Sequence, residues 1–135
     1  MIEVREITAT HKADINIPNE PFALFGRMEV SRADGKWGHS EVLFAEEDVS
    51  EMCFPDENYD FEAMQENTVF LGAYDGEKCV GLAILQKAFF KYMYLYDLKV
   101  SGSCRGQGVG RALMAKAGEV CKARGYRGIY TQGQD

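Results

Sequence analysis

A glycine-rich segment over residues 105–111 has the residue types that most clearly indicate chemistry. It follows an apolar run over residues 94–100 and precedes a stretch with helical periodicity, which predicts a strand, a turn and a helix start. The first amides of a helix have no intrahelical acceptor, and the helix dipole adds partial positive charge there. Because glycine lets the backbone approach a ligand closely, the segment predicts an anion site with a pyrophosphate as the natural ligand.

The spacing of this turn distinguishes between phosphate-binding motifs. A P-loop would end in Gly-Lys-Ser/Thr, and the dinucleotide fingerprint would need glycine where Arg111 stands. What remains is R-x-x-G-x-G, with Arg105, Gly108 and Gly110 at the defining places. This segment resembles the acetyl-CoA motif of the GNAT acyltransferase superfamily, which reads Arg or Gln, two residues, Gly, one residue, then Gly or Ala.

The resemblance implies an N-acetyltransferase that uses acetyl-CoA and no metal. The amides of the turn would bind the pyrophosphate, and the main chain of the preceding strand would pair with pantetheine like an added strand. Met93, Leu95 and Asp97 share one face of a regular strand, yet Leu98 and Val100 also look core-facing, which fits a bulge that opens the slot. The cofactor-binding residues expected on this basis are Leu98, Lys99, Val100, Arg105, Gly106, Gln107, Gly108, Val109, Gly110 and Arg111.

Acetyl transfer to an amine requires the amine to lose a proton. Asp97, just before the residues that would pair with pantetheine, is the candidate catalytic residue, either as base or as an anchor that only orients the substrate. Tyr94 and Tyr96 alternate along the strand and Trp37 lies in an upstream hairpin, so these three are candidates for the substrate pocket. The alternative for aromatic residues at this period is packing in the core.

Further segments are similar to streptothricin acetyltransferases: residues 22–44 with Gly35-Lys36-Trp37, the strand end Tyr96-Asp97-Leu98, and the closing residues 131–135. This similarity implies a small cationic acceptor such as a streptothricin-like or aminoglycoside-like antibiotic. Acidic residues outnumber basic ones by 21 to 15, a balance that favours a cationic substrate and disfavours nucleic acid. A polyamine, a protein amino group and a non-catalytic acyl-CoA-binding module remain alternatives.

The elements around the motif predict an α/β (α+β) fold with a mixed, mostly antiparallel sheet and flanking helices. Asp34-Gly35 and Asp75-Gly76 each separate two apolar runs and predict hairpins, and a third run over residues 92–100 completes a meander. A short helix precedes Asn67. A long helix begins after Gly108 and ends at Gly125, followed by a strand over residues 128–132. We expect one domain over residues 1–135.

The chain ends after that last strand, whereas GNAT members usually continue with a helix and two further strands. Either the chain is truncated, or a partner chain completes the sheet; an apolar edge strand invites association, so we expect a homodimer or a larger assembly. Four scattered cysteines without a zinc spacing, no signal peptide and no apolar run long enough for a membrane span predict a cytoplasmic protein that binds neither metal nor membrane.

Overall fold

The computed structural model describes residues 1–133 and divides the chain into two compact units. The larger unit contains Met1–Asn19 and Asp56–Gln132, and the smaller contains Glu20–Pro55. Gln134 and Asp135, the end of the closing segment noted above, lie outside the described residues. The strands are β1 (Ile2–Glu6), β2 (Phe22–Leu24), β3 (Gly26–Ala33), β4 (Lys36–Leu43), β5 (Ser50–Met52), β6 (Thr68–Asp75), β7 (Lys78–Lys87), β8 (Tyr92–Val100) and β9 (Gly128–Tyr130), and the α-helices are α1 (Phe61–Met64) and α2 (Val109–Ala123).

The larger unit is built on a five-stranded sheet in the order β1-β6-β7-β8-β9. The first four strands pair antiparallel and β8 pairs with β9 in parallel, with α2 as the connection between them. The predicted meander, the short helix before Asn67 and the mixed, mostly antiparallel sheet are confirmed. Residues Ala9–Asn16 form a 3-10 segment between β1 and β2.

Helix α2 covers one face of this sheet. Its buried residues recur every fourth position, Val109, Leu113, Ala117 and Cys121, and they pack with the side chains of β6, β7 and β8. The helix ends in a Schellman motif: Gly125 has φ 78°, and the Tyr126 amide donates to the Cys121 carbonyl at 2.9 Å. A second cluster, which includes Phe61, Phe70, Leu82 and Ile84, fills the opposite face.

Strand β8 contains the bulge that the sequence indicated. Leu85 of β7 pairs with Leu95 and Ile84 pairs with Asp97, so Tyr96 is an extra residue on β8. After the bulge, Val100 packs against the core beneath α2, whereas Leu98 is 43% exposed. Leu98 lies on the same face of the sheet as Val100, but its side chain is not buried, because β9 pairs with β8 only as far as Tyr94 and leaves the later residues at an open sheet edge.

The smaller unit consists of two strand pairs, β2 with β5 and β3 with β4. The β3–β4 hairpin turns at Asp34 and Gly35, whose φ angles of 51° and 74° suit a tight turn between twisted strands. The hairpin predicted at Asp34-Gly35 is confirmed. Within residues 1–133, no helix is long and apolar enough to cross a membrane.

Candidate functional site

The turn between β8 and α2 presents unpaired amides to solvent. Gly106 and Gly108 have φ angles of 74° and 87°, which side-chain-bearing residues rarely adopt. Gly108 caps α2, and the first intrahelical bond is donated by the Ala112 amide to the Gly108 carbonyl at 2.9 Å. The amides of the three residues between them have no partner within the helix, and the first turn holds no acidic residue that could occupy them.

A cavity of about 480 Å³ lies at this turn. It is lined by Val100, Cys104, Arg105, Gly106, Gly108, Val109, Gly110 and Arg111. A Cβ atom built on Gly106 or Gly108 would meet no atom within 4 Å, so these glycines serve the backbone conformation and keep the space in front of the amides free. We call the turn over residues 105–111 and its cavity the cradle.

Most of the predicted cofactor residues line the cradle, and three do not. Gln107 turns its side-chain amide back to the Ser103 carbonyl at 3.0 Å. Leu98 and Lys99 lie along β8, and the Arg105 guanidinium donates to the Val100 carbonyl at 3.0 Å, tying the turn to the end of that strand. The cradle therefore combines unpaired amides with the cationic residues Arg105 and Arg111, a combination that suits a pyrophosphate.

The side chain of Lys99 belongs to a different group of residues. Its ammonium lies 2.7 Å from Glu57 Oε2 and 3.5 Å from Asp97 Oδ2, and it donates to the Ile17 carbonyl at 3.4 Å. Only 11% of the Lys99 side chain and 17% of the Asp97 side chain are exposed. Any contact of Lys99 with a ligand at the open edge of β8 would thus come from its main chain.

Asp97 has a partner that the sequence analysis missed. The Tyr59 hydroxyl donates to Asp97 Oδ2 at 3.0 Å. Burial, and then the neighbouring Asp97 carboxylate, raise the pKa of the Tyr59 phenol well above its ordinary value. Burial alone would raise the pKa of Glu57, but hydrogen bonds from Asn19 and Lys99 outweigh it and lower that pKa.

No local pattern in the sequence marks Tyr59 or Glu57 as site residues. Both stand in an irregular acidic stretch, 38 and 42 positions away from their partners on β8. The acidic composition of the stretch is typical of a solvated surface. Only the folded chain brings these residues to Asp97 and Lys99.

The predicted substrate residues Tyr94 and Tyr96 lie together, with ring centroids 6.2 Å apart. Tyr59 adjoins Tyr96 at 5.9 Å, and Tyr130 adjoins Tyr94 at 5.1 Å. The third predicted substrate residue, Trp37, lies on β4 in the smaller unit, where its exposed ring has the Arg32 guanidinium 5.3 Å from its centroid. Its role remains a prediction.

Residues that could bind a metal are not grouped in the part of the chain that the structure describes: residues 1–133 contain no cluster of three His, Cys, Asp or Glu side chains. The cysteines at positions 53, 79, 104 and 121 are all free. Burial raises the pKa of the Cys79 thiol, which disfavours its reactive thiolate.

Comparisons with known proteins identify the family and agree with the fold. The model of the acetyltransferase (GNAT) family matches residues 37–135. The chain is 30% identical over 134 residues to streptothricin acetyltransferase A of Bacillus subtilis (strain 168), an alignment that covers 98% of this chain and 76% of the relative.

Two solved structures share the fold along almost the whole chain. A putative streptothricin acetyltransferase from Bacillus anthracis str. Ames, solved in complex with acetyl coenzyme A, superposes with a TM-score of 0.77 at 18% identity, covering 97% of this chain and 74% of the other. Nourseothricin acetyltransferase superposes with a TM-score of 0.73 at 20% identity, covering 96% and 72%.

The chain belongs to the acetyltransferase (GNAT) family. It is an acetyltransferase with acetyl-CoA as the acetyl donor, and the predicted family, fold class and cosubstrate are confirmed. Within the family, the relatives named above are streptothricin and nourseothricin acetyltransferases.

Proposed function

We propose that the protein transfers the acetyl group of acetyl-CoA, bound at the cradle, to a primary amine of a small cationic acceptor such as a streptothricin-like or aminoglycoside-like antibiotic. One observation carries the proposal: the unpaired amides of the cradle lie at the end of β8, whose edge is open beyond Tyr94. The 30% identity to a streptothricin acetyltransferase supports the class of acceptor.

The cosubstrate would follow the open edge of β8 into the cradle. Its pyrophosphate would accept hydrogen bonds from the amides of residues 106–111, with Arg105 and Arg111 as nearby cations. Its pantetheine would pair with the main chain of Leu98, Lys99 and Val100 in the place that a parallel strand would otherwise take. This arrangement delivers the thioester to the bulge at Tyr96, where β8 and β9 part.

The reaction in this site is direct attack by the acceptor nitrogen on the thioester carbonyl carbon. The C–N bond forms, the C–S bond breaks, the nitrogen loses a proton and the departing thiolate gains one. Amides at the bulge that lack a strand partner would stabilise the negative charge on the carbonyl oxygen. Asp97 already accepts a hydrogen bond from Tyr59 and pairs with Lys99, which favours an orienting role over that of a base.

Thiol release from acetyl-CoA tests the proposal. The protein is incubated with acetyl-CoA and a panel that contains a streptothricin, an aminoglycoside, a polyamine and a peptide amine. We expect turnover with the antibiotics and, for Asp97→Asn, slower turnover with unchanged acetyl-CoA binding. Tight binding of acetyl-CoA without turnover on any amine would instead identify a binding module and overturn the proposal.

We also propose that residues 1–135 work as one functional domain, that the protein is a homodimer and that it is cytoplasmic. The support for the dimer is β9, an edge strand of the sheet within residues 1–133, with a half-exposed Tyr130 that could pair with another chain. Light scattering coupled to size exclusion at several protein concentrations tests it, and a monomer mass throughout would refute the dimer.

A further inference from the structure

Four tyrosine rings form a continuous row on the larger unit. In spatial order they are Tyr59, Tyr96, Tyr94 and Tyr130, with successive centroids 5.9, 6.2 and 5.1 Å apart. They come from three segments: the stretch before α1, the bulged strand β8, and β9. We call this set the tyrosine row.

The row crosses the point where β8 and β9 separate. Tyr94 and Tyr130 face each other across the last parallel pair of the two strands, and Tyr96 is the bulge residue that follows. In the proposed mode of acetyl-CoA binding, the thioester arrives at this bulge. The row therefore flanks the place where an acceptor amine would have to approach.

The row combines two accessible rings, Tyr96 and Tyr130, with two partly buried ones, Tyr59 and Tyr94. Tyr96 is 47% exposed and Tyr130 is 43% exposed, so neither is a core residue. Tyr59 is held by its hydrogen bond to Asp97, and the Lys99 ammonium lies 5.8 Å from its ring centroid. Tyr59 and Tyr94 are partly buried, and Tyr59 packs against the second core cluster. Core packing therefore explains part of the row but not the exposure of Tyr96 and Tyr130.

We propose that the tyrosine row binds a second positive charge of the acceptor and so selects amines that carry at least two ammonium groups. This inference rests on the proposed function, because it places the reacting amine at the bulge. Ring faces attract an ammonium through their quadrupole, and hydrogen bonding of the Tyr59 phenol to a carboxylate adds electron density to its ring. Tyr59 and Tyr130 are then specificity-determining residues at the two ends of the row.

Asp97 acts in this arrangement as a positioning residue. Its carboxylate orients Tyr59, and Lys99 with Glu57 holds that carboxylate in place. Because the ammonium of Lys99 lies between the two carboxylates, the acceptor meets aromatic rings rather than a bare anion. Selectivity would come from the rings, with the net charge of −6 adding only a general attraction for cations.

Equilibrium binding to the CoA-loaded protein tests the proposal. The ligands are 1,5-diaminopentane and 1-aminopentane, which differ by one ammonium, and their dissociation constants are measured by NMR titration. The variants are Tyr59→Leu, Tyr130→Leu and the control Tyr92→Leu, all of which leave the net charge unchanged. Tyr92 lies on the same strand with similar exposure, and among residues 1–133 its ring forms no aromatic pair with the row.

We expect the wild type to prefer the diamine and each row variant to lose about two- to fivefold of that preference, with Tyr92→Leu unchanged. Tyr59→Phe should retain the ring and most of the preference, which separates loss of the ring from loss of folding. No preference in the wild type, or equal loss in Tyr92→Leu, would overturn the inference. A preference for the diamine without any acetyl transfer would support the inference about the tyrosine row and refute the proposed function instead.

Discussion

Two glycines of α2, Gly110 and Gly118, offer a matched pair of substitutions that tests ligand binding at the cradle. Gly110 lines the cavity, and a Cβ added there would lie 3.8 Å from Val100 Cγ2, whereas a Cβ on Gly118 would meet nothing within 4 Å and faces solvent. Each glycine lowers the stability of a helix by about 0.5–1 kcal/mol relative to a good helix former. Replacing either glycine should therefore change the free energy of unfolding by a similar amount. Only replacement of Gly110 should change ligand binding.

We expect Gly110→Leu to weaken acetyl-CoA binding by about tenfold or more, because a side chain in the cavity displaces charge-assisted hydrogen bonds that contribute about 1.5–3 kcal/mol each. Gly118→Leu should bind normally, and both variants should be at least as stable as the wild type. Calorimetric titration gives the affinities and urea unfolding gives the stabilities. Equal affinities in the two variants would place the pyrophosphate elsewhere.

A second prediction at the residue scale concerns Tyr59 and the pH dependence of the free energy of unfolding. Its pKa in the folded chain is raised above the ordinary 10.0, so the unfolded chain ionises first. The stability associated with this phenol is fully present below about pH 10 and is lost as the pH rises beyond it. Tyr59→Phe should cost about 1–2 kcal/mol at neutral pH through the lost hydrogen bond and should show a shallower fall above pH 10.

Urea midpoints at neutral and alkaline pH, with Tyr92→Phe as the control, measure the difference. In a parallel experiment, Asp97→Asn should bring the Tyr59 pKa back towards its ordinary value, visible as earlier phenolate absorbance. If wild type and Tyr59→Phe lost stability in parallel above pH 10, the link between Tyr59 and Asp97 would be disproved.

At the scale of secondary-structure elements, the register of β8 depends on one inserted residue, Tyr96. Tyr96 has no partner on β7, while Leu95 and Asp97 on either side of it pair with consecutive residues, Leu85 and Ile84. Deletion of Tyr96 would thus leave every other pair of the ladder in register while removing the bulge that separates β8 from β9. We expect a folded protein with acetyl transfer reduced by about tenfold or more, because the proposed position of the thioester depends on the bulge.

The cradle supplies the control for this deletion. It lies beyond the far end of β8, so free CoA should still bind through its pyrophosphate, with an affinity measurable by calorimetry. A deletion variant that retains full turnover would show that the bulge has no part in catalysis. Circular dichroism and the urea midpoint would reveal whether lost turnover merely reflects unfolding.

At the scale of the whole molecule, the net charge of −6 should attract cationic acceptors. Mobile ions screen such attraction over about 8–10 Å at physiological salt, so kcat/KM should fall as salt is added. The fall should be steeper for an acceptor with three ammonium groups than for one with a single group. Thiol-release rates across a salt series give the two slopes, and equal slopes would exclude long-range attraction as a contribution to specificity.

The sequence by itself predicted the elements around the glycine-rich turn and the residues that line the cradle. Helical periodicity gave the buried stripe of α2, the Asp-Gly pairs marked both hairpins, and the order of Arg105, Gly108 and Gly110 pointed to the GNAT family. All of these depend on backbone conformation or on residues a few positions apart. The conformational preferences of neighbouring residues are enough to define such features, which is why they could be predicted.

Only the tertiary structure decided which side chains surround Asp97 and where β8 and β9 part. Tyr59 and Glu57 reach β8 from about 40 positions upstream, and Tyr130 reaches Tyr94 through the parallel pairing of β9. The side chain of Lys99, whose main chain was expected to pair with pantetheine, pairs with Glu57 and Asp97. The physical reason is strand register: one extra residue at Tyr96 moves every later side chain of β8 to the opposite face, and no local pattern determines which residues of other strands it meets there.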